Sequence, residues 1–226
     1  MNLGGLRIAG AALMVVLGFW AGAKFHSLNH ATAGRGGIPV PAGIASPPNP
    51  SDSGDDTPIV RIPDRLPDFS LEDRAGKPTP ISSFEGKSLI INFWATWCAP
   101  CRSEIPLLQT LHAEWAGRDY SVVGIAIDHR EAVLEFAGRY KIRYPLLIGE
   151  QDALDAVAAF GVETPVFPLT VFTDRRGEVV AVFVGELHKP QAEFILSAVQ
   201  DINTGVLELR AARLTIAAGL RALAAT

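Results

Sequence analysis

The sequence predicts an α/β fold in which helices cover a mixed β-sheet, and three observations lead there. Short apolar runs rich in β-branched residues alternate with segments of helical periodicity from about residue 61 onward. A strand, a turn written Asp174-Arg175-Arg176-Gly177, a second strand and a helix close this region. Cys98-Ala99-Pro100-Cys101, which holds the only two cysteines of 226 residues, joins a buried run to a helical segment. Alternation of this kind places helices on a sheet as packed layers.

The elements follow in order. Residues 66 to 84 read as an N-terminal β-hairpin, with its turn at Asp73-Arg74-Ala75-Gly76-Lys77. Ser88 to Trp94 is a buried strand. Cys98 to about Trp115 is a helix whose apolar face carries Leu107, Leu108 and Leu111, with a kink expected at Pro106. Val122 to Ile127 is a second buried strand, and Ala132 to Tyr140 a helix with Val133, Phe136 and Ala137 inward. Pro145 to Ile148 forms a short strand and Ala153 to Phe160 a helix. Leu169 to Phe172 and Val179 to Val184 make the final hairpin, and Gln191 to Ile202 the helix that closes the fold. Val206 to Ala225 is an added amphipathic helix bearing Leu207, Leu214, Ile216, Leu220 and Leu223, expected to pack on its own domain.

Ahead of this domain the chain changes character twice. Ile8 to Ala23 is an uncharged, largely apolar run between Arg7 and Lys24. As a helix it spans about 24 Å, and counting from Leu3 with Arg7 snorkelling brings it near the roughly 30 Å of a hydrocarbon core. Ala21-Gly22-Ala23 also resembles a signal-peptide cleavage site. An uncleaved anchor is preferred because the apolar run continues up to Lys24; both readings export the rest. Pro- and Gly-bearing sequence then suits a linker, disordered when free. The expected organisation is a signal anchor over residues 1–25, a linker over 26–60, one folded domain over 61–203 and a helical extension over 204–226.

Composition narrows the function. Apolar residues make up 48% and charged residues 19%, enough for a packed core, and the formal net charge is −4. No basic cluster interleaved with aromatics is present, so nucleic acid is not the expected partner. Two cysteines do not complete a four-ligand zinc site, and Arg102 stands where a c-type haem attachment needs histidine. No metal or other cofactor is expected beyond the dithiol itself. The two sulfurs lie about one helical turn apart, within disulfide reach. The first sits at a helix N-terminus, where free N–H groups and the dipole favour a thiolate. A bridge closing so short a loop constrains the unfolded chain little, which argues for a redox pair over a structural staple.

The run Asn92-Phe93-Trp94-Ala95-Thr96-Trp97-Cys98-Ala99-Pro100-Cys101-Arg102-Ser103-Glu104-Ile105-Pro106 resembles the thioredoxin superfamily, and within it the membrane-tethered, extracytoplasmic TlpA/ResA-like thiol-disulfide oxidoreductases. The resemblance runs from roughly Leu66 to Asn203. Asp128 to Phe160 is similar to that branch's central insertion, and Pro168 to Asp174 to its proline-led strand; Phe167 departs from the smaller or polar residues frequent there. It implies a thioredoxin-like fold with an N-terminal hairpin and a central insertion. Cys98 is then the attacking thiolate and Cys101 the resolving thiol. Glu104 is the acidic group beside the pair, suited to take the Cys101 proton if buried, or else a solvent-facing helix-start carboxylate. Asn92 occupies the place of the buried aspartate of cytoplasmic thioredoxins. Pro168 is the candidate cis-proline, with Pro165 the competitor, and Trp97 and Phe167 supply apolar surface for a client chain.

The expected activity is reduction of disulfides in exported proteins, in the service of cytochrome c maturation or oxidase assembly. The expected partners are a client with disulfides or thiols and a membrane electron donor that recharges the dithiol. The compartment is the bacterial periplasm, with the domain tethered to the membrane. Two other activities are compatible with such a fold. A thiol peroxidase needs Pro and Thr/Ser where this chain has Ile91 and Ala95. A copper chaperone needs a histidine beside the thiolates, for which His188 is the candidate, while His112 and His129 read as packing or surface residues.

Overall fold

The computed structural model describes residues 62–225. The anchor and the whole of the linker expected from the sequence lie outside the described residues, among which no helix is long and apolar enough to cross a membrane. The elements are β1 (Ser70–Asp73), β2 (Pro78–Pro80), β3 (Ser88–Trp94), α1 (Ala99–Trp115), β4 (Tyr120–Ile127), α2 (Arg130–Arg139), β5 (Leu146–Gly149), α3 (Gln151–Ala159), β6 (Leu169–Thr173), β7 (Val179–Val184), α4 (Lys189–Asn203) and α5 (Leu209–Ala224).

All seven strands join one mixed sheet in the order β2-β1-β5-β4-β3-β6-β7. β3 pairs parallel with β4, and β4 parallel with β5, so helical crossovers connect them. β6 returns antiparallel to β3 and forms the closing hairpin with β7. The N-terminal hairpin does not pair with β3. It is sewn on through β5, which pairs antiparallel with β1 across Glu72↔Ile148 and Asp73↔Leu147. The Asp73 carboxylate accepts from the Ala75 and Lys77 N–H groups, while Gly76 takes a φ of 80° that a side chain disfavours.

Side-chain alternation along β3 divides the core. Ile90 and Trp94 face α1, α2, α4 and α5, whereas Leu89, Ile91 and Phe93 face α3 and the N-terminal segment. Asn92 belongs to the first set, which puts an amide under α1. That helix buries Cys101, Glu104, Ile105, Leu108 and Leu111. Leu107, expected inward, is only half-buried. Pro106 lies inside α1 and withholds an N–H from the Arg102 carbonyl.

The added C-terminal helix packs on α4 and β7. It begins at Leu209, three residues later than the sequence suggested, after a turn in which Gly205 adopts a φ of 76°. Ala212 and Ile216 face inward, but Leu214 is 74% exposed, because it lies two residues from each along the helix and so on the far side. Arg213 ties α5 to the segment before β1, donating to the carbonyls of Val179 and Pro63 and to Asp64. Gly219 permits the close approach: a Cβ there would stand 2.2 Å from Cζ of Phe194. Gly219→Ala is therefore expected to cost about 1–3 kcal/mol of stability in urea unfolding. An unaltered midpoint would contradict the packing of α5 on α4.

Candidate active site

The site forms where β3 ends. Trp94 completes the strand, Ala95 follows it, Thr96 and Trp97 turn the chain, and Cys98 immediately precedes α1, whose first residue is Ala99. The sequence placed Cys98 at the N-terminus of this helix, and the structure agrees to within one residue. Pro100 sits in the first turn, where a missing N–H breaks no helix bond. Asp128, at the end of β4, receives the Thr96 hydroxyl and backbone N–H and so fixes the turn before the cysteine.

Cys98 and Cys101 are joined as a disulfide, with Cα atoms 5.3 Å apart. Their surroundings are unequal. Cys101 is wholly buried, while Cys98 keeps 5% of its surface exposed. The Cys101 N–H donates to Cys98 Sγ at 3.3 Å, and the N–H groups of the first turn of α1 lie beside it. These groups stabilise negative charge on Cys98 once the bond opens.

Glu104 lies one turn beyond Cys101 and is 1% exposed, so it is not a solvent-facing carboxylate. Its Oε1 accepts from Asn92 Nδ2 at 2.7 Å and its Oε2 from the Leu187 N–H at 2.9 Å. Asn92 Nδ2 also donates to Thr170 Oγ1 at 3.1 Å, tying the acid to β6. Burial pushes the Glu104 carboxyl up to about 7; the Leu187 and Asn92 donors pull it back down, and Glu186 nearby adds to the rise. The amide of Asn92 and the Leu187 N–H are the partners that sequence reasoning missed. Alternation along β3 puts Asn92 on the α1 side with Ile90 and Trp94, a signal that was present; the Leu187 contact spans 83 residues and left none.

The residues expected to face a client chain, Trp97, Phe167 and Pro168, come together beside Cys98. Trp97 is 68% exposed and touches Phe167 edge-on, with ring centroids 6.5 Å apart. Phe167 is half-buried and packs on both cores while keeping part of its surface exposed. Pro168 is buried, and the Phe167–Pro168 peptide bond is cis, unlike the bond before Pro165. The Pro168 carbonyl accepts from the Gly185 N–H at 2.8 Å.

The residues of the competing activities are also placed. Ile91 and Ala95 are wholly buried and present no hydroxyl to a peroxide. His188 precedes α4, with Nδ1 3.9 Å from Glu186 and its side chain mostly in solvent. His129 is exposed beside Glu150, and His112 meets Tyr144 edge-on. Among the described residues, no three His, Cys, Asp or Glu side chains converge as a metal site requires.

Residues 62–182 match the model of the AhpC/TSA family. A thiol-disulfide oxidoreductase ResA of Oceanobacillus iheyensis is 31% identical over 152 residues, covering 65% of this chain and 77% of the relative. A thioredoxin-like protein YneN of Bacillus subtilis is 34% identical over 133 residues, with coverage of 57% and 75%. Among solved structures, a Chlorobium tepidum chain assigned as a thiol:disulfide interchange protein DsbE superposes with a TM-score of 0.56 at 24% identity. The match covers 62% of this chain and 99% of that one, a likeness of fold.

Proposed function

Since the chain belongs to the AhpC/TSA family and is a thiol-disulfide oxidoreductase, we propose that it works as a reductase of disulfides in exported polypeptides, through Cys98 and Cys101. The observation that carries this reading is the inequality of the two sulfurs. One is reachable and hydrogen-bonded at a helix mouth; the other is sealed beneath it, one turn from a buried acid.

The chemistry then runs in two displacements. The Cys98 thiolate attacks one sulfur of the client disulfide, forming a mixed disulfide and releasing a client thiolate. Glu104 takes the proton of Cys101, whose thiolate attacks Cys98 Sγ and expels the second client sulfur. Two electrons pass to the client, which takes up two protons. The protein ends with the Cys98–Cys101 bond. A carboxyl near 7 suits this task, because it is part ionised when the proton must be accepted.

The client lies against Trp97, Phe167 and Pro168. Pro168 has no N–H and its carbonyl is already used by Gly185, so backbone pairing with the client falls to Val166 and Phe167. Residues 1–25 would hold the domain outside the cytoplasm, and a membrane electron donor would return the dithiol to its reduced form. Upkeep of client cysteines for cytochrome c maturation or oxidase assembly fits such a tethered reductase.

The direction of electron flow rests on Ala99-Pro100. No cation stands between the cysteines to hold the Cys98 thiolate too firmly, and an over-stable thiolate makes an oxidant. Equilibration with glutathione buffers is expected to give a midpoint well below about −120 mV, the value of a strong disulfide-forming oxidase. A midpoint at or above that value would overturn the reductive assignment.

A further inference from the structure

A cleft between α1 and α2 opens beside the dithiol and has no role in the reaction above. Thr96, in the turn that carries Cys98, forms one wall, and Arg102 of α1 another. Phe136 and Tyr140 of α2 supply an aromatic floor, their rings stacked with centroids 4.1 Å apart. Arg139 and Glu135 both line the rim and neutralise one another as an ion pair at 2.6 Å, which leaves Arg102 as the net charge of the cleft. Arg102 is exposed; its backbone N–H donates to the Cys98 carbonyl at 3.3 Å, but its guanidinium has no hydrogen-bond or ion-pair partner among the described residues. It is an uncompensated cation one residue past Cys101, on a chain whose formal net charge is −4.

The far side of the site has the opposite sign. Glu163 is exposed on the segment leading into β6, and Glu186 sits in the loop after β7 that bonds both Pro168 and Glu104. In the sheet, β4 and β6 flank β3 on opposite sides, and α2 follows β4. Cys98, just past the end of β3, thus has the cleft with its net positive charge on one hand and, on the other, the Trp97–Phe167 surface with Glu186, which His188 faces at 3.9 Å.

We propose that the α1–α2 cleft receives an acidic side chain of the client polypeptide, on the side of the client cysteine away from Trp97 and Phe167. The inference rests on the reductase reading. It adds to that reading an orientation: the client crosses Cys98 with its carboxylate toward Arg102, while the opposite side offers no unpaired cation of its own among the described residues. A carboxylate at Arg102 gains a charge-assisted bond, and Tyr140 borders the same space.

The test uses reduced protein and peptides that carry one cysteine as a mixed disulfide with thionitrobenzoate. In each reaction the dithiol is oxidised to the Cys98–Cys101 bond and the peptide thiol and thionitrobenzoate are released, so absorbance follows the rate. Four peptides place Asp or Lys either before or after the cysteine. On one of the two sides, the Asp peptide is expected to react about fivefold faster than its Lys counterpart at low salt. That ratio should fall toward unity in about 1 M salt, where charges are screened within about 3 Å. Arg102→Glu should invert it and Arg102→Lys retain it; because each ratio is taken within one variant, a general loss of activity cancels. Equal rates for Asp and Lys on both sides, or a ratio untouched by Arg102→Glu, would overturn the inference and leave the reductase reading standing. If no peptide oxidises the dithiol, both fall.

Discussion

Replacing Cys98 with Ala is expected to abolish disulfide reduction, lowering the rate at least about 10³-fold, as loss of a covalent nucleophile does. No other sulfur is available to substitute, because Cys101 is the only other cysteine and is wholly buried. Cys101→Ala has a different signature. Its Cys98 thiolate still attacks, but nothing resolves the product, so the client remains attached through a mixed disulfide that mass spectrometry detects and added dithiol releases. The pair of variants assigns the two roles. An adduct on Cys101 in the Cys98→Ala protein would reverse the assignment. Full activity in either variant would remove the dithiol from the reaction.

Glu104→Gln carries the second large effect, in both stability and rate. The Glu104 carboxyl is raised from an ordinary value of 4.5 to about 7, with burial the principal cause. Between those values the folded protein holds a proton that the unfolded chain has released. Stability therefore falls as pH rises through that window and levels off above it, by roughly 3 kcal/mol in all. Gln keeps an acceptor for the Leu187 N–H, and Asn92 can turn its amide to match, so the variant lacks only the buried charge. The variant is expected to match the wild type near pH 4.5 and to exceed its stability by roughly 3 kcal/mol above pH 7. Urea unfolding of the oxidised proteins across that range reads this directly. In reduction assays the variant should resolve its mixed disulfide about a hundredfold more slowly and lose the rate inflection near pH 7. An unchanged pH profile would reject Glu104 as the proton acceptor.

Much of this was legible before any coordinates. β3 and β7 match the apolar runs Ser88–Trp94 and Val179–Val184 to the residue, because each run is bounded by turn-forming sequence. The helix after the cysteines, the closing hairpin and α4 follow for similar reasons. What stayed hidden depends on distant partners. Periodicity says that residues 70–80 form a hairpin, but not that β1 pairs with β5 rather than with β3. The outward turn of Leu214 follows from spacing once Ala212 and Ile216 are known to face in, and nothing local says which apolar residues win.

The site divides the same way. The dithiol is plain in the sequence because its chemistry needs two residues at fixed spacing on a strand–helix junction. Burial of Glu104 was also readable, had the inward stripe of α1 been anchored on Cys101, Ile105 and Leu108 instead of Leu107. Glu104 stands at the i+3 place of that stripe. The amide of Asn92 carried a half-signal: a strand residue on the α1 face, in the place of an aspartate. The Leu187 N–H and the pairing of Trp97 with Phe167 bring together segments far apart in the chain, and only the folded sheet assembles them.

The most direct test of the reductase assignment is a single-turnover balance. Reduced protein is mixed without oxygen with an equal amount of a peptide containing one intramolecular disulfide, and both are weighed by mass spectrometry at equilibrium. The account predicts that the protein loses the mass of two hydrogens as the peptide gains it, in equal amounts, with Cys98 and Cys101 alone recovered as the new bond. A peptide that remains oxidised beside fully reduced protein, or one reduced while Cys98 and Cys101 stay as thiols, would contradict it.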